Sequence, residues 1–326
     1  MRIALDAMGG DHAPDAVVTG AIEAAPLLHC DVLLVGDPAK ISPLLPSPCP
    51  ANLQVHPASQ CVEMHEKPMD ALRKKKDSSL VVAVDLVKQG VASCMVSAGN
   101  TGAATAASLL SWRQMHGFHR PAIASEIPSY KDNFLLLDAG ASPDVDPEHL
   151  LEFALMGRAY AQLIMGKKNP TVHLLNIGEE PGKGNAFAKN AYKILSEHAW
   201  FAGNIEGKDM FNGSIDVVVC DAFVGNIVLK TSEGVAELIL KMVREQVPKG
   251  KIARLPYMPL RKVFAPLQAR MDYAEVGGSP LLGLNGLCII CHGRSNAKAI
   301  RNALLLAQKA LDQHLIERIE FSLKEL

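Results

Sequence analysis

With 326 residues, 48% of them hydrophobic and 21% charged, the chain has the composition of a folded globular protein, long enough for one large domain or two lobes. Lysine and arginine number 33 against 34 aspartates and glutamates, and the net charge of −1 excludes the global positive field that holds nucleic acid. No apolar run reaches the roughly eighteen residues that span a bilayer, Asp6 and Asp11 sit where an export signal needs an apolar centre, and seven scattered cysteines make no secreted framework, so a cytoplasmic protein with reduced thiols is expected.

In chain order, strands are expected at 2–5, 32–35, 92–97, 134–137, 172–175, 215–220 and 286–291, and helices at 13–25, 80–89, 101–112, 148–164, 186–198, 227–246 and 297–317. Residues 42–51, SPLLPSPCPA, carry four prolines and are read as a surface loop. Several strands are apolar without alternation, as in a parallel sheet covered on both faces. Strands alternating with helices argue for a doubly wound α/β/α sandwich, read as a single α/β domain over 1–326 with a protrusion at 247–271.

The turns after the strands carry the chemistry. They read Asp6-Ala-Met-Gly9-Gly10-Asp11-His12, Ala98-Gly99-Asn100-Thr101-Gly102, Asp138-Ala-Gly140, Asn176-Ile-Gly178-Glu179-Glu180-Pro-Gly182-Lys183-Gly184-Asn185, Asp221-Ala-Phe-Val-Gly225-Asn226 and His292-Gly293-Arg294-Ser295-Asn296. In an open parallel sheet such turns line one edge, so the six are expected on one shared rim. Glycine lets backbone approach a ligand, and a helix start behind each turn offers N–H groups to an anion. Common signatures fail: there is no G-x-G-x-x-G after the first strand and no G-x-S-x-G. Gly178 to Gly184 has the wrong spacing for a P-loop and Gly184 where a magnesium-binding hydroxyl belongs. Cys288-Ile-Ile-Cys291-His292 matches a haem-attachment pattern, but its cysteines fall in an apolar strand and are read as buried thiols.

Taken together, AMGGDHAP (7–14), EKPMDALRKKKDSS (66–79), SAGNTGA (97–103), NIGEEPGKGN (176–185), GNIEGKD (203–209), DAFVGN (221–226), and GGSPLLGLNG with CHGRSNAKAI (277–300) resemble the bacterial acyl-acyl carrier protein:phosphate acyltransferases over nearly the whole chain. The resemblance implies an isocitrate/isopropylmalate dehydrogenase-like fold and a cytosolic homodimer. It also implies an enzyme of phospholipid synthesis that makes acyl phosphate from acyl carrier protein thioester and inorganic phosphate, with no cofactor and no metal. Three positions depart from the family pattern: Ser142 stands where Asn is usual, Ala222 where Gly is usual, and Arg294 where a small residue is common. Ala222 matters most if that position needs positive φ.

Phosphate supplies its own attacking oxygen, so the protein must hold an anion against a carbonyl and stabilise an oxyanion. Lys183, a cation between two glycines at a helix start, opposes the helix dipole, and a phosphate ligand resolves that conflict; the alternative is a solvated loop lysine. Asn226 is read as a donor to phosphate or carbonyl, against a helix N-cap. His292 is a catalytic candidate that either polarises the carbonyl or protonates the leaving thiolate, against a purely structural histidine. Asp6, Gly9, Gly10, Asn100, Thr101, Gly102, Gly184, Asn185, Gly225 and Ser295 are the expected phosphate- or substrate-binding positions, with capping an equal reading for Asn100 and Thr101. Asp6 and Asp221 are expected to orient other groups, and Glu179 and Glu180 have no catalytic role.

Arg73-Lys-Lys-Lys76 is a candidate docking patch for the acidic acyl carrier protein, or simply a solvated face. Residues 247–271 hold six basic residues and no acid, with Leu260, Val263, Phe264, Leu267 and Met271 on one helical face. That pattern predicts peripheral contact with anionic membrane, or packing on the body or a dimer partner. Two other activities stay open: an isopropylmalate-type NAD-dependent dehydrogenase, for which the chain lacks a close acidic cluster, and a non-catalytic regulator that binds acyl carrier protein or phosphate.

Overall fold

A computed structural model describes residues 1–245 and 273–325. The strands are β1 (Arg2–Asp6), β2 (Asp31–Gly36), β3 (Leu53–Pro57), β4 (Cys94–Ser97), β5 (Ala122–Ile123), β6 (Ser125–Ile127), β7 (Phe134–Leu137), β8 (Val172–Asn176), β9 (Phe201–Glu206), β10 (Val217–Val219), β11 (Ser279–Leu282) and β12 (Leu287–Ile290). The α-helices are α1 (Asp15–Ala24), α2 (Pro38–Ile41), α3 (Pro68–Lys74), α4 (Ser79–Lys88), α5 (Thr101–Trp112), α6 (Pro147–Leu163), α7 (Ala186–Leu195), α8 (Ala222–Glu245), α9 (Ala297–Asp312) and α10 (Leu315–Ser322).

The strands form two sheets, a seven-stranded one in the order β3-β2-β1-β4-β12-β11-β5 and a five-stranded one in the order β6-β7-β10-β8-β9. All neighbours are parallel except those of β11 and β6. The doubly wound α/β class holds, but the expectation of one shared rim is corrected: the turns after β1, β4 and β12 edge the larger sheet, and those after β7, β8 and β10 edge the smaller. The division arises at residues 122–127. Ala122 pairs with Leu282 in the first sheet, while Ile127 pairs with Phe134 in the second. Ala124 N–H donates to Pro280 C=O, and the Ser125 and Ser279 hydroxyls meet at 2.8 Å across the seam.

The unalternating strands are covered on both faces. Ile3 and Leu5 of β1, Cys94 and Val96 of β4, Leu135 and Leu137 of β7, and Val217 and Val219 of β10 all enter one core that runs under both sheets. Their neighbours point the other way: Ala4 and Met95 pack in a second cluster, and Phe134, Leu136 and Val218 in a third. A strand buried on both faces has no polar side to show, which is why alternation is missing.

Helix boundaries follow local chemistry. Ser78, Asn100, Asn185 and Asn296 accept from the third N–H of α4, α5, α7 and α9. The single helix expected at 297–317 is instead two, because His314 adopts φ 51° and ends the run without glycine or proline. Within the expected loop at 42–51, Ser42–Leu44 makes one 3-10 turn. The protrusion expected at 247–271 lies outside the described residues.

Candidate active site

The rim of the larger sheet is built from buried polar groups that hold backbone. Asp6 is 1% exposed at the end of β1; its carboxylate accepts from Ser97 Oγ at 2.7 Å and from Met8 N–H at 3.3 Å. Ser97 Oγ in turn accepts from Gly99 N–H at 3.0 Å, and Asp11 N–H donates to Gly293 C=O at 2.8 Å, so the three turns are tied edge to edge. Burial pushes the Asp6 carboxyl up, and the hydrogen bonds it accepts oppose that shift. Gly9 is required here, since a Cβ would overlap the Asp6 carboxylate, and Gly10 has φ 108°. Asp6 therefore holds the Met8 N–H and the Ser97 hydroxyl in place.

Asn100 is the N-cap of α5, accepting from Ala103 N–H at 3.0 Å, and its amide donates to the C=O groups of Met64 and Glu66 at 3.0 Å each. Both ends of its side chain are thus engaged, the carbonyl in capping α5 and the amide in holding the 63–66 loop. What this turn offers a ligand is the N–H groups of Thr101 and Gly102, the first two of the helix, which have no backbone acceptor in it. The 61–67 loop reaches the third turn through Met64, which lies against Gly293. Ser295 is buried and its hydroxyl has no hydrogen-bond partner among the described residues.

The smaller sheet presents a more open rim. Lys183 rides the turn between β8 and α7, half exposed, with its ammonium 3.8 Å from Glu180 as the ion pair it makes. Two asparagines shape that turn: Asn176 Nδ2 donates to Lys183 C=O and to Asn204 Oδ1, both at 3.1 Å, and Asn204 Nδ2 donates to Glu180 C=O at 2.9 Å. Gly184 takes φ 90° against Asn176, and Asn185 caps α7. Asn204 belongs to β9, a strand that residue patterning did not reveal; it lies in the GNIEGKD motif at 203–209, from which no role was read for it.

Asp138, at 0% exposure, is the other group that motif reading left without a task. Its carboxylate accepts from four N–H groups, those of Ile123, Gly140 and Ala141 at 2.9 Å and Ser142 at 2.7 Å. Because Ile123 is in the larger sheet and Asp138 follows β7 of the smaller one, this carboxylate joins the two. Burial raises its pKa against the pull of those four donors. Ser142, at a position where the chain departs from the family pattern, donates its hydroxyl to Pro121 C=O at 2.8 Å.

Helix α8 crosses between the rims. It begins at Ala222, five residues earlier than expected, with Asp221 accepting from Val224 N–H at 3.0 Å. Asn226 is accordingly inside the helix rather than its N-cap, and the capping reading is corrected. Its amide lies 3.9 Å from the position a Cβ would take on Gly140. Gly225 packs so tightly on the Asp138 carbonyl that a Cβ would overlap it. Ala222 is not among the positive-φ residues, so its departure from glycine carries no strain.

Two turns further along α8, Lys230 and Glu233 act electrostatically on His292 at the other rim. Burial, then Lys230, then Arg294 lower the His292 pKa, with Glu233 and Asp11 opposing. The ring's Nδ1 accepts from Arg294 N–H at 3.1 Å.

A cleft of about 450 Å³ opens beside the smaller rim, lined by Arg120, Asp144, Asp146, Asn185, Phe187 and Asp221 among others. Nearby, His119, His149 and Glu152 bring three metal-ligating atoms within 4.8 Å of one another. Their bonds are already committed: Glu152 accepts from His119 N–H and meets His119 Nδ1 at 2.6 Å, while His149 Nδ1 accepts from Asp146 N–H at 2.8 Å. That last bond puts the neutral ring's proton on Nε2, the wrong nitrogen state for a ligand. Cys288 and Cys291 are buried, and burial pushes the Cys288 thiol up to about 12, in keeping with inert core thiols. In the basic run, Lys75 turns inward to Cys61 C=O at 2.6 Å and Glu66 at 2.7 Å; Arg73, Lys74 and Lys76 stay exposed.

The fold is that of the phosphotransacylases. It aligns with a phosphotransacetylase from Streptococcus pyogenes at a TM-score of 0.63 and 16% identity, covering 97% of this chain and 94% of that one. It also aligns with a 4-hydroxythreonine-4-phosphate dehydrogenase from Salmonella typhimurium at a TM-score of 0.52 and 11% identity, covering 94% and 98%. Among sequences, the fatty acid synthesis protein family matches residues 1–318. Phosphate acyltransferases from Heliobacterium modesticaldum, 50% identical over 98% of this chain and 97% of that one, and from Geobacter sulfurreducens, 46% identical over 98% and 94%, are close relatives. The chain belongs to the phosphate acyltransferase family and is an acyltransferase.

Proposed function

We propose that the enzyme moves a fatty acyl group from acyl carrier protein to inorganic phosphate, forming acyl phosphate for phospholipid synthesis. The observation that carries this reading is Lys183: a half-exposed cation at a helix start, in a turn built by Asn176 and Asn204, whose ammonium makes only a long, exposed contact of 3.8 Å with Glu180. A bound phosphate offers the ammonium a closer, charge-assisted contact than the exposed Glu180 carboxylate does. Asn226, beside Gly140, donates to the same anion or to the thioester carbonyl. A phosphate oxygen attacks the carbonyl carbon, the C=O electrons move to oxygen, and the tetrahedral intermediate collapses with loss of the thiolate. The three acids lining the adjoining cleft repel phosphate and keep it on the lysine side. In the test, purified enzyme is given acyl thioester and phosphate, and acyl phosphate is trapped with hydroxylamine. Phosphate-dependent hydroxamate supports the reading; thioester loss that ignores phosphate refutes it.

The reading extends to assembly. Phe223, Ile227, Val235, Leu238, Ile239 and Met242 leave an apolar stripe exposed along α8, the kind of surface that a second copy covers in a homodimer. Leu238→Glu is expected to convert a dimer to monomer in sedimentation equilibrium. We propose a cytoplasmic location; separately, no described helix is long and apolar enough to cross a membrane. Residues 247–271 are proposed to rest on anionic lipid. Leu260→Glu with Phe264→Glu should abolish co-sedimentation with anionic vesicles, and undiminished binding removes that segment from the role.

A further inference from the structure

We propose that His292 serves the reaction as a neutral hydrogen-bond donor, presenting Nε2–H to the thioester carbonyl oxygen, and not as the acid that protonates the leaving thiolate. The inference rests on the acyl transfer proposed above and assigns a chemical role to one residue within it.

The geometry begins in the H-G-R-S turn itself. Arg294 N–H donates to His292 Nδ1 at 3.1 Å, so that nitrogen presents its lone pair. A neutral imidazole has one N–H, which then sits on Nε2. An imidazolium would place a second N–H against the Arg294 N–H, losing one hydrogen bond and creating a repulsion. The charged groups around the ring point the same way. Lys230 on α8 and Arg294 in the turn disfavour a further positive charge, and Glu233 on α8 and Asp11 in the β1 turn offset them only in part. Half-burial adds to the bias, and the pKa of the ring is lowered.

The chemistry has use for such a donor. As phosphate oxygen bonds to the carbonyl carbon, negative charge collects on the carbonyl oxygen, where a fixed donor is worth most. A thiol has a pKa of about 8.5 and departs as thiolate without a proton. In the balanced step the phosphate O–C bond forms, the C–S bond breaks, and the electron pair leaves on sulfur. The Nε2 proton stays on the ring throughout, and the thiolate takes its proton from solvent.

The experiment compares wild type with His292→Gln and His292→Ala in the hydroxamate assay, using acyl thioesters whose thiols differ in acidity. A glutamine amide carries an N–H at a reach similar to Nε2, but it neither gains nor loses a proton near neutral pH. The expected result is that the Gln variant stays within about tenfold of wild-type kcat while the Ala variant falls by about 100- to 1,000-fold, the loss being the same for every thiol. A Gln variant as slow as Ala, with a deficit that grows as the thiol becomes less acidic, overturns the proposal in favour of general acid catalysis. Wild-type activity in both variants overturns it as well. Should the variants not fold, the wild-type enzyme alone decides: a rate that falls as the thiol becomes less acidic, as departure of an unprotonated thiolate requires, agrees with a carbonyl donor, and a rate indifferent to thiol pKa, as proton donation at sulfur allows, contradicts it. Absence of phosphate-dependent hydroxamate in the wild type would instead refute the acyl transfer itself, a separate result.

Discussion

The two rims of the molecule solve opposite problems. The rim of the larger sheet spends its polar groups on itself: Asp6, Ser97 and Asn100 are buried and bonded to backbone, and glycines close the gaps. The rim of the smaller sheet instead leaves a cation half exposed at Lys183 and surrounds it with amides that bond to its backbone, not its charge. A carbonyl needs a rigid, weakly polar wall with a few fixed donors, whereas a free anion needs a cation it can reach. Asp138 and α8 join the two, so that loop positions on one side depend on packing on the other.

That contrast can be broken at its tightest point. Gly225→Ala forces a Cβ into the Asp138 carbonyl and should cost about 3 kcal/mol in urea unfolding, while Gly182→Ala, with nothing within 4 Å, should stay within about 0.5 kcal/mol. Equal costs would show that the junction is not packed as described. Next in size, Lys183→Ala should lower kcat/KM for phosphate about a hundredfold with the fold intact, the loss of one charge-assisted contact. Phosphate kinetics like those of wild type would take Lys183 out of the site. A smaller difference separates two changes at Asn226. Asn226→Asp should be about tenfold slower than Asn226→Ala, because it sets a negative charge beside phosphate. An active Asp variant with a slower Ala variant would show that the amide makes no contact with the anion.

The smallest effect is on pH. The pKa values of His173 and His292 are lowered in the folded state, both chiefly by burial. The unfolded chain therefore binds more protons as pH falls through about 6.5, so the stability present above that value is lost below it. Melting temperature should decline from pH 7.5 to 5.5, and His173→Leu should flatten part of the decline. An identical slope in the variant would assign the loss to other groups.

Much of this was legible in the chain. The strand at Phe134–Leu137 and the helix at Thr101–Trp112 were found at their full bounds, because continuous apolar runs and an Asn cap are strong local signals. The short strands β3, β5, β6, β9 and β11 were not, since strands of two to six residues with mixed polarity owe their form to pairing partners. Missing β5 and β6 hid the seam, and with it the fact that the turns divide between two sheets. The motif residues Lys183 and His292 were visible as odd residues in glycine turns. Lys230, brought in by a helix face far along the chain, carried no local mark, and Asn204, though inside the GNIEGKD motif, had no role readable from it. The N-cap reading of Asn226 failed because a helix can start before a glycine when close packing, here on Asp138, demands one.

The division of labour between the rims is tested most directly by phosphate binding in the absence of acyl donor. Calorimetric titration of inorganic phosphate into wild type, Lys183→Ala and His292→Ala compares one residue from each rim. The account predicts that Lys183→Ala loses phosphate binding and that His292→Ala keeps it. Wild-type affinity in Lys183→Ala, or its loss in His292→Ala alone, would contradict the assignment of phosphate to the smaller sheet's rim.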